Sequence, residues 1–154
     1  MKVLMMSALA SALLFASVAQ AQLKPEKQVE VRQAGYQFMS WNMGKIKAQV
    51  VDGTEPYDQA KVAAAADAIA GIANSGMGAL FGPDTTTAQL GDLTRLKPEF
   101  FSNLEEVSRI GAEYVKNANQ LKTVAAGNDQ AAIKQAFGAL GNSCKACHDK
   151  FRAE

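Results

Sequence analysis

Apolar residues recur at alternating spacings of three and four along several stretches of this 154-residue chain, and each stretch predicts a helix with one inward face. The first follows Lys24-Pro25, with proline suited to the first helical turn. Val29, Arg32, Tyr36, Met39, Met43 and Ile46 share one face, so a single charge is embedded in it. Gly44 and Asp52-Gly53 mark its approach to a loop. The second runs from about Tyr57 to Asn74, after Pro56, on a thin stripe of Val62, Ala65, Ile69 and Ile72, and Ser75-Gly76 ends it. The third is predicted to begin at Pro98-Glu99, where an acid in the first turn suits the helix dipole. Its inner face reads Leu104, Val107, Gly111, Tyr114, Ala118 and Leu121, and Gly127 stops it. Asn128 or Asp129 caps the fourth, whose stripe continues through Ile133, Phe137, Leu140, Cys144, His148 and Phe151.

Between the second and third helices lies a longer connection, residues 79–97, containing Gly82-Pro83, Thr85-Thr86-Thr87 and Gly91-Asp92. Connections of that length are usually functional or disordered, and a segment crossing a cofactor edge would fit. Elsewhere alanine is abundant and β-branched runs are scarce, which favours helix. Four helices with short links at the other turns predict an all-α, antiparallel four-helix bundle. Residues 22–154 suffice for one domain with one core.

The amino end reads differently. Lys2 is followed by an uncharged stretch from Val3 to Ala21, closing on the small-x-small pattern Ala19-Gln20-Ala21. Residues 1–21 therefore read as a secretory signal peptide with Gln22 as the mature start. The alternative is a membrane anchor, for which the apolar core is short and diluted by small residues. Without Lys2 the chain holds 15 basic against 15 acidic residues. That balance gives no support for nucleic-acid binding or for a polybasic membrane surface, and leaves no membrane anchor after signal removal.

His148 is the single histidine, and it stands in Cys144-Lys145-Ala146-Cys147-His148 with the only two cysteines. C-x-x-C-H is the attachment signature of a c-type haem. Each cysteine can form a thioether to a haem vinyl group, and the histidine can ligate the iron. On a helix, positions i, i+3 and i+4 fall within roughly one 100° arc, so the three side chains face one way and can hold one porphyrin. A zinc site would need a fourth ligand. A thioredoxin-like pair belongs after a strand, and no strand pattern precedes this motif. A disulfide across three positions would close too small a loop to stabilise much. One covalently bound haem c per chain, with iron held by His148, is the expectation. Export agrees with it, because bacteria attach c-type haem outside the cytoplasm, and the two together predict a periplasmic protein.

A four-helix chain with this motif near its carboxyl end resembles the class II cytochromes c, cytochrome c′ among them. The likeness covers nearly all of residues 22–154. Besides the haem motif it rests on Lys24-Pro25-Glu26 leading to Arg32-Gln33, on Glu55-Pro56-Tyr57-Asp58, on Phe81-Gly82-Pro83, on Lys97-Pro98-Glu99-Phe100 and on Arg152. The resemblance implies a haem between the helices, with His148 as fifth ligand, an empty sixth position and largely high-spin iron. It implies that Tyr36 lies over the distal face, that Arg32 and Gln33 lie near the haem propionates, that Thr94-Arg95 contacts the haem edge and that Arg152 lies beside the proximal histidine. It also implies binding of nitric oxide and carbon monoxide, and a homodimer packed through the first two helices.

Taken alone, these residues leave other roles open. Tyr36 also fits a core tyrosine with its hydroxyl at the surface. Arg32 on an apolar face calls for a buried anion, which a propionate would supply, or snorkels at the helix end. Arg152, one turn after His148, approaches the proximal face or is a terminal solvated charge. Phe81 reads as pocket wall or simple core. Lys145 and Lys150 read as solvated charges, and Trp41, off the inner stripe, as a helix–helix or dimer contact.

Two functions compete. One is a gas-binding haem protein with five-coordinate iron. The other is a low-spin, six-coordinate electron carrier whose sixth ligand is Met39 or Met43, both on the inner stripe, where methionine is also ordinary core filler. Enzyme activity has little support, since no second histidine and no carboxylate pair stands out to act as acid and base. The redox partner is not identified by any motif.

Overall fold

The structure, a computed structural model, describes residues 23–154; the expected signal segment 1–21 and Gln22 lie outside the described residues. Helix α1 spans Pro25–Ile46, with Pro25 at its start, Glu26 in its first turn and Lys45 in its last. It passes through Gly44 and widens into a π-helical turn, Lys47–Val51. Within that turn Gln49 is buried, and its Oε1 accepts the Asp58 N–H at 2.9 Å, which ties down the loop to the next helix. Asp58 then caps α2, Gln59–Ala73, by accepting the Lys61 N–H at 3.1 Å, so one of the orphan donors of the first turn is satisfied.

The long connection is structured. Short 3-10 turns at Met77–Leu80 and Pro83–Thr85 lead into a single α-turn, α3 (Thr87–Leu90), and a further 3-10 turn at Gly91–Leu93. The third predicted helix is divided. Pro98-Glu99 opens only one turn, α4 (Glu99–Ser102), and Asn103 breaks it while its side chain donates to the Glu99 carbonyl at 2.7 Å. The long helix α5 starts afresh at Leu104 and runs to Ala125. Its buried face is Ile110, Ala118, Leu121 and Ala125, with Val107 and Tyr114 half-buried. Leu104 and Gly111, expected inside, are exposed. Ile110 faces inward instead of Gly111, a position that fits the same three-or-four spacing between Val107 and Tyr114, and an isoleucine removes far more apolar surface from water. Helix α6, Gln130–Phe151, is capped by Asp129, which accepts the Ala131 and Ala132 N–H groups at 2.9 and 3.0 Å.

Close packing runs from α1 to α2, α2 to α5 and α5 to α6, the order of an antiparallel four-helix bundle. The ring is completed where the π turn after α1 meets α6. At the opposite end α1 begins and α6 finishes, and the long connection crosses there. Among the described residues, no helix is long and apolar enough to span a membrane.

Candidate haem-binding site

The buried stripe of α6 is Ile133, Ala136, Leu140, Ser143 and Phe151. Cys144 and Cys147 flank this stripe, half-buried, and His148 is exposed beside them rather than on the buried line expected for it. The cysteines join two separate clusters. Cys144 packs against the main core of α1, α2, α5 and α6, which includes Ile46, Ile69, Leu121 and Ile133. Cys147 packs against a second cluster of Leu96, Phe100, Ile110 and Phe151, to which Phe81 also belongs.

The two thiols are not joined in a disulfide. Burial pushes both above their usual pKa. Thiols used for disulfide exchange are normally shifted the other way, toward the thiolate, so the redox-pair reading has no support here. Desolvation, then the cations Arg152 and Arg95, hold the His148 imidazole below its usual pKa, against an opposing pull from Asp149. A neutral imidazole is the form that ligates a metal.

Across from α6, Arg32 is 5% exposed on α1. Its guanidinium donates to the Leu80 carbonyl at 3.0 Å, to Thr85 Oγ1 at 3.2 Å and to Thr94 Oγ1 at 3.1 Å, and lies 4.4 Å over the Phe81 ring. None of these partners carries a negative charge. Burial lowers its pKa, but a guanidinium stays protonated in proteins. Phe81 in turn stacks on Phe100 with centroids 5.0 Å apart. Gln33, exposed, donates to the Leu93 carbonyl at 2.9 Å, and Gln28 accepts the Gly82 N–H at 3.2 Å. A Cβ on Gly82 would lie 2.7 Å from that Gln28 oxygen, so glycine permits the close approach. The first half of α1 thus binds the long connection with polar side chains.

The same connection reaches the end of α6. Leu96 and Arg152 form an antiparallel bridge, with the Lys97 N–H donating to the Phe151 carbonyl at 2.9 Å and the Ala153 N–H to the Arg95 carbonyl at 2.8 Å. Arg95, exposed, donates its Nε–H to the Ala153 carbonyl at 2.7 Å. Thr94 is buried, and its hydroxyl also accepts the Leu96 N–H at 3.2 Å. Tyr36 completes the setting. Burial of its phenol, with Cys147, pushes the pKa up to about 12; Arg32 opposes this and Cys144 adds to it. Tyr36 therefore sits electrostatically among the cysteines and the arginine, although 38% of its surface is exposed.

The residues present fit a haem c. Two unpaired thiols and a histidine project from consecutive turns of one helix, and a buried cation without a carboxylate waits on the facing helix. Residues not singled out as site residues from the sequence also converge here: Gln28, Thr85, Phe100, Phe101, Tyr114 and Phe151. Thr85 had a readable signal, because a buried Arg32 needs oxygen acceptors and the threonine run was the nearest polar cluster in the crossing segment. Lys145 and Lys150 are solvated as expected, pairing with Asp149 at 2.6 Å and with Glu106.

A four-helix bundle carrying this motif on its last helix defines a class II type of c cytochrome. Comparison with known proteins narrows the class. The family described as Cytochrome C′ matches residues 27–152. Cytochrome c′ of Allochromatium vinosum is 55% identical over 142 residues, covering 92% of this chain and 90% of that protein. A solved cytochrome c′ noted for an unusual ligand-controlled dimer dissociation is 56% identical, with a TM-score of 0.80 over 87% of this chain and 100% of that one. A variant of the Alcaligenes xylosoxidans cytochrome c′ solved with carbon monoxide is 31% identical, with a TM-score of 0.74 over 85% of this chain and 98% of that one. The chain belongs to the cytochrome c′ family, and with that membership comes one covalently bound haem c per chain. Members of this family bind gases and transfer electrons and are not catalysts.

Proposed function

We propose that this chain binds diatomic gases such as nitric oxide and carbon monoxide, and passes electrons, through a haem c held by Cys144 and Cys147 with His148 as the single protein ligand to iron. When bound, the haem supplies an iron that cycles between ferric and ferrous and takes neutral gases at its sixth position. The protein's part is attachment, orientation and exclusion. The observation that carries the reading is the pairing of Cys144, Cys147 and His148 on one face of α6 with the carboxylate-free, buried Arg32 on α1. Arg32, with Gln33 nearby, would take the haem carboxylates, where a charge-assisted bond is roughly twice as strong as a neutral one. Phe81, stacked on Phe100, forms the wall that keeps this end dry. Thr94 and Arg95 line the haem edge, and Arg152 brings its charge to the proximal side of His148. Tyr36 covers the distal face, and its phenol stays protonated at physiological pH.

The competing carrier reading requires a methionine on the iron. Met43 packs against the main core, and Met39 is buried in it with its sulfur already engaged. Nothing favours either as a ligand. The exposed Val31, Phe38 and Trp41 on α1 suit a homodimer contact through the first helices. With residues 1–21 as a signal peptide, the protein works in the periplasm as a dimer with a redox partner of its own, without binding nucleic acid or a membrane.

An absorption and electron paramagnetic resonance spectrum of the purified ferric protein tests the reading. Five-coordinate, high-spin iron is expected; a low-spin ferric signal that disappears on replacing Met39 or Met43 would instead establish the carrier.

A further inference from the structure

Met39 stands one helical turn beyond Tyr36 on the inner face of α1 and is 4% exposed. The Tyr114 hydroxyl, from the middle of α5, donates to Met39 Sδ at 3.2 Å, its one hydrogen bond among the described residues. Tyr114 borders the haem site. Burial pushes its phenol above the usual range, and Tyr36 and then Cys144 add to the push. A thioether is only a weak acceptor, yet this buried hydroxyl is spent on one. A thioether is also a competent axial ligand for haem iron, one that raises the reduction potential. Of the methionines in the described bundle, the one a turn beyond the distal tyrosine is thus the one whose sulfur is tied to a neighbouring helix.

We infer that Tyr114 is a specificity-determining residue: by holding the Met39 sulfur toward α5, it keeps that sulfur off the iron and leaves the sixth position to gases. The inference rests on the proposal that Tyr36 covers the distal face of a five-coordinate iron. Two restraints then act together. The Tyr36 ring occupies the space over the iron, and the Tyr114 hydroxyl holds back the side chain that would replace it. Removing Tyr36 alone opens space for a gas. Removing both lets the methionine turn inward and close the site.

The test compares ferric holoproteins by electron paramagnetic resonance and absorption. Tyr36→Ala is expected to remain high-spin. Tyr36→Ala/Tyr114→Phe is expected to show a low-spin fraction several-fold larger, as the loss of one neutral hydrogen bond shifts a population by roughly several-fold to tenfold. Its reduction potential should rise, and adding Met39→Leu should return the iron to high spin. A double variant no more low-spin than Tyr36→Ala, or a low-spin signal that survives Met39→Leu, overturns the inference. If the alanine variants do not accumulate, Tyr36→Val and Tyr36→Val/Tyr114→Phe leave less of a hole, and equal spectra there overturn it as well. The distal reading fails separately, when Tyr36→Ala leaves carbon monoxide binding kinetics unchanged.

Discussion

The two clusters of this bundle are made of different materials. The larger is aliphatic: Ile46, Val62, Ile69, Leu121, Ile133 and Leu140 are fully buried between four helices. The smaller is aromatic, built from Phe81, Phe100, Phe101 and Phe151, with the Arg32 charge lying on one ring and Thr85 and Thr94 beside it. Helices alone supply the first, whereas a crossing segment supplies much of the second. The difference separates tasks. The aliphatic end is a packing problem with a generic solution. The aromatic end keeps the Arg32 charge and the Cys147 thiol among packed rings, which only a specific arrangement tolerates.

Substitutions can break or sharpen that contrast. The largest effect is expected from Cys144→Ser/Cys147→Ser at the junction of the clusters: mass spectrometry should find the chain without covalent haem, and retained haem mass would refute the assigned attachment. Next is the aliphatic end. Leu121→Ala should lose about 2–5 kcal/mol of stability in denaturant unfolding, as large-to-small core changes do, with the spin state unmoved. In the aromatic end, Arg32→Met should cost about 1–3 kcal/mol by leaving buried acceptors unpaired. It should also lower the reduction potential, since a cation beside the haem favours the ferrous form; an unchanged potential would place Arg32 in the loop lock alone.

Tyr36→Ala should speed carbon monoxide association by roughly tenfold, equivalent to about 1.4 kcal/mol off the entry barrier. In the unaltered protein that rate should be flat through neutral and mildly alkaline pH, because a phenol with a pKa of about 12 stays protonated there. The smallest effect concerns the ion pair fastening α6 to α5. The Lys150 hydrogen bond and charge, with a smaller share from Arg109, hold the exposed Glu106 carboxyl below the ordinary glutamate range. A depressed folded-state pKa means stability that is present above the unfolded value and lost as pH falls through the folded one. Glu106→Gln should therefore flatten the acid limb of a stability profile slightly and change nothing at the haem.

Much of this contrast was legible in the chain. The stripes of α1, α2 and α6 could be read in most positions because buried helical positions repeat every three or four residues, and the haem motif because three rare residues coincide. Tyr36, expected on the inner face of α1, is instead 38% exposed at its edge. The third helix misled. Pro98-Glu99 carries a sound start signal, but Asn103 competes for the backbone and the turn breaks. Within the helix that follows, Ile110 and Gly111 both fit a three-or-four spacing between Val107 and Tyr114, and the isoleucine is the one buried. His148 was expected on the buried line and lies at its exposed edge, since its place one residue after Cys147 turns it away from Ser143 and Phe151.

The sequence by itself determined the bundle, its four long helices and the attachment of a haem to the last of them, because periodicity and spacing are local properties of the chain. Only the tertiary structure decided what meets across it: that Arg32 is held by Leu80, Thr85 and Thr94, that Phe81 stacks on Phe100, and that Tyr114 takes the Met39 sulfur. Those contacts join residues 19 to 75 positions apart, and no local pattern encodes which distant hydroxyl or ring will be nearest once four helices have closed.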